Sequence, residues 1–190
     1  MRYEPAIHHR RSIRLTGYDY SQGGAYFVTI CTQDRECLFG EIVVGVGPCA
    51  YPDVPSEMRL NTAGQMIREI WHEMPEYYSG VALDAFTVMP NHLHGIVVLS
   101  GQIQGMIGQA QGPAPTLPDV MRRYKTLTTK RYADGVKGCG WRPFPGKLWQ
   151  RNYWERVIRD EHELNGIREY IENNPARWTE DQLNAPTPFM

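Results

Sequence analysis

In 86-FTVMPNHLHGIVVL-99 two histidines, His92 and His94, stand two residues apart in an otherwise apolar run. Side chains alternate faces along a strand, so both imidazoles point the same way, with Ile96 and Val98 further along that face. A rise of about 3.3 Å per residue puts their Cβ atoms about 6–7 Å apart. Two neutral imidazoles at that separation can share one divalent metal. The plainer alternative is a pair of hydrogen-bonded structural histidines at a strand end, and for so short a pattern it is the commoner one. Two ligands do not make a site, so a third would have to come from elsewhere in the chain.

The last predicted helix offers candidates. In 161-EHELNGIREYIENNPARW-178, Ile167, Tyr170, Ile171 and Asn174 share one face at helical spacing. Tyr170 and Asn174 are i, i+4 neighbours, about 6 Å apart at Cβ. Taken singly, Tyr170 also suits a core-edge aromatic, and Asn174 a helix-terminal residue before Pro175.

The elements that would position these groups follow from periodicity and punctuation. Tyr26 to Gln33 is β-branched and aromatic and reads as a first strand. Residues 40–60 are rich in Gly and Pro and read as an excursion or short hairpin. Ile67, Ile70, Trp71 and Met74 repeat at i, i+3, i+4, i+7 behind a cap at Asn61 or Thr62, which predicts an amphipathic helix ending at Pro75. Val81–Met89 and His92–Leu99 read as strands joined by a Pro90-Asn91 turn. Residues 101–116 are low in complexity and read as a mobile loop. Pro118 suits the first helical position. Val120, Tyr124 and Leu127 give that helix an apolar stripe, with Asp134-Gly135 as its predicted end. Trp149–Ile158 reads as a fourth strand. Asp160 with Glu163 resembles a capping box opening the final helix, which runs to Asn173-Asn174. The order β-α-β-β-α-β-α predicts one α+β domain: a ferredoxin-like split βαβ sandwich with an antiparallel sheet and an added C-terminal helix.

Charge is segregated behind a net value of −1. Residues 1–14 hold four arginines against one glutamate, and residues 120–156 hold ten Lys/Arg against Asp134 and Glu155. Two acidic stretches balance them. The basic blocks could meet as a patch for an anionic partner, or simply neutralise acidic neighbours on a solvated surface. Arg10, Arg11 and Arg14 form a short basic arm. Arg122, Arg123, Lys125, Lys130 and Arg131 lie on the predicted helix as a candidate phosphate track. In 141-WRPFPGKLWQRNYWER-156, basic residues including Lys147 and Arg151 interleave with aromatics, a composition that suits unpaired bases. Strand four must bury one face, so at least half of those aromatics are expected in the core. The four cysteines match no metal or disulfide spacing and read as reduced thiols. No apolar run approaches the length of a bilayer span, and the N-terminus has no signal-peptide pattern. A cytoplasmic protein is expected.

Three separated segments, in order, carry a resemblance across nearly the whole chain. They are RRSIRLTGYDYSQGGAYFVT, Pro90-Asn91-His92-Leu93-His94, and LWQRNYWERVIRD followed by YIENNP. Together they resemble the REP-associated tyrosine transposases, within the single-tyrosine HUH transposases. The resemblance implies a ferredoxin-like fold that cleaves single-stranded DNA at hairpins through a 5′-phosphotyrosine. It implies Tyr170 as nucleophile and His92, His94 and Asn174 as ligands of Mg²⁺ or Mn²⁺. It also implies that the arm carrying Arg10, Arg11 and Arg14 reads a short sequence at the hairpin foot. The expected partner is single-stranded hairpin DNA, with no membrane and no small-molecule substrate, and the expected state is a monomer, with a dimer as the alternative. The stretches 45–57 and 101–116 depart from a compact family member.

Two other readings compete. A metal-dependent hydrolase would use the histidine pair without a covalent intermediate and would need a further strong ligand; His72, Asp84 and His162 are available by composition. A non-catalytic hairpin-binding protein derived from a transposase would keep the fold alone. If the basic blocks meet DNA, affinity should fall steeply with added salt in a binding titration. A salt-insensitive complex would contradict that use of the charge.

Overall fold

Alternation along the first strand decides the architecture. In β1 (Gly24–Cys31), Tyr26, Val28 and Ile30 are buried in the main core, whereas Phe27 belongs to a second, smaller cluster on the other face of the sheet. The structure, a computed structural model, describes residues 23–43, 56–101 and 115–184. The basic arm with Arg10, Arg11 and Arg14 lies outside the described residues, as do most of the stretches 45–57 and 101–116.

The remaining elements are β2 (Gly40–Val43), β3 (Glu57–Leu60), α1 (Thr62–Tyr77), β4 (Val81–Val88), β5 (His92–Leu99), α2 (Leu117–Cys139), β6 (Trp154–Ile158) and α3 (Glu161–Asn173). Four strands make one sheet in the order β4-β5-β1-β6, with every neighbour antiparallel. This is the predicted split βαβ sandwich. The stretch read as a short hairpin is a separate pairing of β2 with β3. Helices α1 and α2 cover one sheet face through Ile67, Ile70, Trp71, Met74, Val120 and Tyr124. Helix α3 covers the other through Ile171, with Phe27, Ile96 and Ile158 beneath it. Among the described residues, no helix is long and apolar enough to cross a membrane.

Local chemistry explains the boundaries. Asn61 caps α1 by accepting from the Gly64 N–H at 2.8 Å. Pro75 lies inside that helix, which continues to Tyr77 rather than ending at the proline. Proline in the last turn displaces only one ladder bond, so two more residues still close. Thr116 and Asp119 form a reciprocal capping box ahead of α2, with Pro118 in its first turn. Helix α2 does not stop at Asp134-Gly135. It runs to Cys139 and ends where Gly140 turns left-handed, at φ 69°. Gly135 is instead the place where the Trp141 ring packs on the helix: an added Cβ would lie 2.3 Å from it. The fourth strand is likewise shorter than expected, because Trp149 makes only an isolated bridge to Thr32. Of the aromatics in 141–156, Trp149 is buried. Trp141, Phe144 and Tyr153 are partly buried against the core, and Trp154 is 46% exposed.

Helix α3 is tied to the sheet edge by charge as well as by its apolar face. The ladder of β4 shifts register between Leu83 and Phe86. Asp84 sits in that irregularity, and its carboxylate accepts two bonds from Arg168 of α3, at 2.7 and 2.6 Å. The guanidinium holds the Asp84 carboxyl below its usual range. A carboxyl with a depressed folded-state pKa stabilises the fold above its unfolded value and loses that contribution as pH falls through the folded one. Asp84→Asn should therefore lower the melting temperature at pH 7, and the gap to wild type should close as pH falls through the lowered folded-state pKa of Asp84. A gap independent of pH would exclude the ion pair as its cause. On β5, a Cβ at Gly95 would fall 2.4 Å from the Trp71 ring, which is stacked on Phe86. Gly95→Ala should cost about 1–3 kcal/mol in urea unfolding through that overpacking.

Candidate active site

Strand register brings the two histidines against chosen neighbours. His94 pairs with Thr29 and His92 with Cys31 across β1 and β5, and their side chains share the face covered by α3. Both imidazoles are buried, at 0% and 2% exposure. Their Nε2 atoms lie 3.1 Å apart. Each remaining ring nitrogen has a partner: His92 Nδ1 meets Asn91 Oδ1 at 2.8 Å, and His94 Nδ1 meets Thr29 Oγ1 at 2.8 Å. Burial pushes the His92 imidazole down to about 4, and burial together with His92 pushes His94 down as well. Both rings are neutral at pH 7 and offer lone pairs.

Helix α3 presents Tyr170 and Asn174 over this pair. Its start is fixed by Asp160, which accepts from the Glu163 N–H, while the Glu163 carboxylate accepts from the Arg159 N–H. The expected capping pair is thus present, with Glu163 reaching one residue further back. Tyr170 is 40% exposed, and its hydroxyl lies 3.4 Å from His94 Nε2. Its ring stands edge-on to Phe27 and tilted against His94. Partial burial, followed by the negative charge of Asp181, raises the phenol above its ordinary range. Asn174 is 3% exposed. Its side chain is near enough to favour a protonated His92 and an ionised Tyr170, yet its Oδ1 completes no hydrogen bond of ordinary geometry.

A further group arrives from the chain after α3. The 3₁₀ turn Pro175–Glu180 swings back across the sheet end and delivers Asp181, whose Oδ2 lies 3.7 Å from His92 Nε2. One ligand atom from each of His92, His94 and Asp181 lies within 4.8 Å of the others. Asp181 Oδ2 is buried without a hydrogen-bond partner. Electron-pair donors therefore converge with too few protons between them: two imidazole nitrogens, the Asp181 oxygen and, beside them, the Asn174 oxygen. That donor set suits a divalent cation. Asp181 sits in no motif or periodic pattern of the sequence. Its only signal was its place shortly after Asn174. His72, Asp84 and His162 do not join the cluster among the described residues.

The site forms the floor of a cleft of about 780 Å³, open between β1, α3 and the 150–154 segment. Phe27, Thr29, Cys31, His94, Tyr170 and Asn174 line it, with Trp154 and Arg156 on one wall and Arg177 on another. Burial raises the Cys31 thiol to about 11, so it is no thiolate at neutral pH.

The expected DNA-binding residues divide into two groups. Arg122, Lys125, Lys130, Lys147 and Arg151 line a second groove of about 700 Å³ that shares Gln150 and Tyr153 with the first. Of these, Arg122, Lys130, Lys147 and Arg151 are exposed, and Arg122 also pairs with Asp119. The Lys125 ammonium turns inward and donates to the carbonyls of Gln150 at 2.9 Å, Arg151 at 3.4 Å and Asn152 at 3.0 Å. Arg123 lies over the Tyr77 and Tyr78 rings, and Arg131 makes a bidentate pair with Glu73. Arg123 and Arg131 thus bind α1 rather than lining the groove.

No family model matches the chain. An uncharacterised Haemophilus influenzae protein is 36% identical over 192 residues, covering 96% of this chain and 97% of its own. A second protein of that organism, provisionally named a REP-associated tyrosine transposase, is 24% identical over 84% of this chain and 74% of its own. A solved REP-associated tyrosine transposase bound to a REP hairpin superposes with a TM-score of 0.53 at 21% identity, covering 86% of this chain and 73% of that one. The chain belongs to one family with the 36% identical Haemophilus influenzae protein and is a relative of the REP-associated tyrosine transposases, whose fold it shares.

Proposed function

We propose that this protein cleaves and rejoins single-stranded hairpin DNA through a 5′-phosphotyrosine at Tyr170, assisted by Mg²⁺ or Mn²⁺. One observation carries the reading: an accessible tyrosine hydroxyl 3.4 Å from a buried, neutral imidazole pair, at the floor of a cleft. His92, His94 and Asn174 would hold the cation, with Asp181 as a carboxylate ligand beside them. When bound, the cation would supply Lewis-acid neutralisation of the charge that develops on a scissile phosphate.

The chain's own groups account for the rest. Tyr170 Oη forms the bond to phosphorus while the 3′-oxygen leaves, and the phosphodiester energy is kept in the new linkage. Rejoining therefore needs no nucleotide. The raised phenol must lose its proton as it attacks, so adduct formation should quicken as pH rises from 6 to 9. The Phe27 ring and the α3 packing hold the tyrosine beside the imidazole pair, which would spare it a search for the phosphate. Lys130, Lys147 and Arg151 would meet the phosphates of the bound strand in the adjoining groove. The partly exposed Trp154 offers a stacking surface on the cleft wall.

A hydrolase reading gains one specific support, because Asp181 completes a two-histidine, one-carboxylate set of the kind that activates water. A denaturing gel separates the two. Hairpin-bearing single-stranded DNA incubated with the protein and Mn²⁺ should give a covalent protein–DNA band. Tyr170→Phe should abolish the band and leave hairpin affinity within about threefold, since one hydroxyl is a small part of a phosphate-dominated interface. Cleavage without a band, or a band of undiminished yield from Tyr170→Phe, would overturn the tyrosine assignment.

A further inference from the structure

The residue before the histidine pair does more than turn the chain. Asn91 is fully buried. Its Nδ2 donates to two backbone carbonyls, Leu183 O at 2.8 Å and Arg35 O at 3.1 Å. Carbonyls only accept, so the amide cannot be flipped, and Oδ1 is the atom that faces His92 Nδ1 at 2.8 Å. An amide oxygen has no proton to give. The proton of this bond therefore belongs to His92 Nδ1, and His92 Nε2 carries a lone pair directed into the site.

We infer that Asn91 is the positioning residue of the cation site, fixing the His92 tautomer with its Oδ1 while its Nδ2 anchors the segment that carries Asp181. The assignment rests on the cation reading above for its purpose, but not for its geometry. Leu183 is two residues beyond Asp181, and the Asp181 carboxylate accepts the Leu183 N–H at 2.7 Å, so the Asn91 bond to Leu183 O holds that turn against the sheet. Thr32 adds rigidity from behind, as both its N–H and its hydroxyl donate to the Asn91 carbonyl, at 2.8 and 3.0 Å. One side chain thus links β5, the turn at Arg35 and the chain beyond α3.

His94 is set differently. Its Nδ1 partner, the Thr29 hydroxyl, can donate or accept. Without a cation, His94 Nε2–H can donate to the His92 lone pair across 3.1 Å, with Thr29 donating to Nδ1. A cation would favour the other His94 tautomer, with Nδ1–H donating a hydrogen bond to Thr29 Oγ1 and Nε2 left with a lone pair. Thr29 tolerates either state, whereas Asn91 imposes one. The two imidazoles thus have distinct parts, a fixed ligand and an adjustable one.

Long-range ¹H–¹⁵N correlation of the histidine rings reads the tautomer directly, and Mn²⁺ titration by calorimetry reads the site. Wild type should show His92 as Nδ1–H. Asn91→Ala should show a mixture and bind Mn²⁺ about 10- to 100-fold more weakly. Asn91→Asp keeps the acceptor and should keep the Nδ1–H tautomer even though both donors to carbonyls are lost. A wild-type His92 protonated at Nε2 would overturn the inference. So would a folded Asn91→Ala protein with unchanged tautomer and unchanged Mn²⁺ affinity. If Asn91→Ala does not fold, the wild-type and Asn91→Asp spectra decide: both must show Nδ1–H. Wild type that binds no Mn²⁺ yet shows Nδ1–H would refute the cation reading while leaving the tautomer assignment standing, and neither result depends on DNA cleavage.

Discussion

Two neutral imidazoles are held with their Nε2 atoms 3.1 Å apart, almost wholly shielded from water, and much of the structure serves to keep them there. Buried rings at this distance share at most one proton between the facing atoms. Any further electron-pair donor brought up to them adds a lone pair with no proton to meet it. The fold brings up two, Asn174 from the end of α3 and Asp181 from the turn beyond it, and each presents an oxygen without a hydrogen-bond partner. Unsatisfied buried oxygens are expensive, and a cluster of them beside lone-pair nitrogens is what a cation would relieve.

The scaffold follows from that requirement. The pair needs a strand buried on both faces, and β5 lies inside the sheet with α1 and α2 on one side and α3 on the other. Gly95, next to His94, lets the Trp71 ring close against the strand from the opposite face. The tyrosine must approach from outside the sheet, so it comes on a helix seated by Ile171 at one point and by the Arg168–Asp84 pair at another. The Lys125 ammonium, turned inward on three carbonyls, fixes the 150–152 segment between the cleft and the basic groove.

Much of this was legible in the residues because the signals were local or periodic. The alternation around His92 and His94 predicted their shared face, and the helical spacing of Ile167, Tyr170, Ile171 and Asn174 predicted theirs. Caps at Asn61 and Asp160 announced two helix starts. The errors came where tertiary packing overrode local punctuation. Gly135 reads as a helix stop, yet it is a seat for Trp141, so α2 continues to Cys139. Trp149 reads as strand, yet its ring is drawn into the core by Thr128, which accepts its indole N–H at 2.8 Å. Asp181 and the anchoring bonds of Asn91 were illegible for a different reason. The two Asn91 bonds join residues 56 and 92 apart in sequence, and no period or cap encodes such a pairing. Charge composition also named basic residues without saying which way they point. Arg123, Lys125 and Arg131 turn to protein partners, while Lys130, Lys147 and Arg151 stay exposed along the groove.

The most direct test of a cation under a tyrosine is anomalous diffraction from crystals soaked in Mn²⁺. The account predicts one strong peak bound by His92 Nε2 and His94 Nε2, completed by Asn174 Oδ1 or Asp181 Oδ2, with the Tyr170 hydroxyl facing its open side. Strong peaks elsewhere with none between the two imidazoles would contradict it.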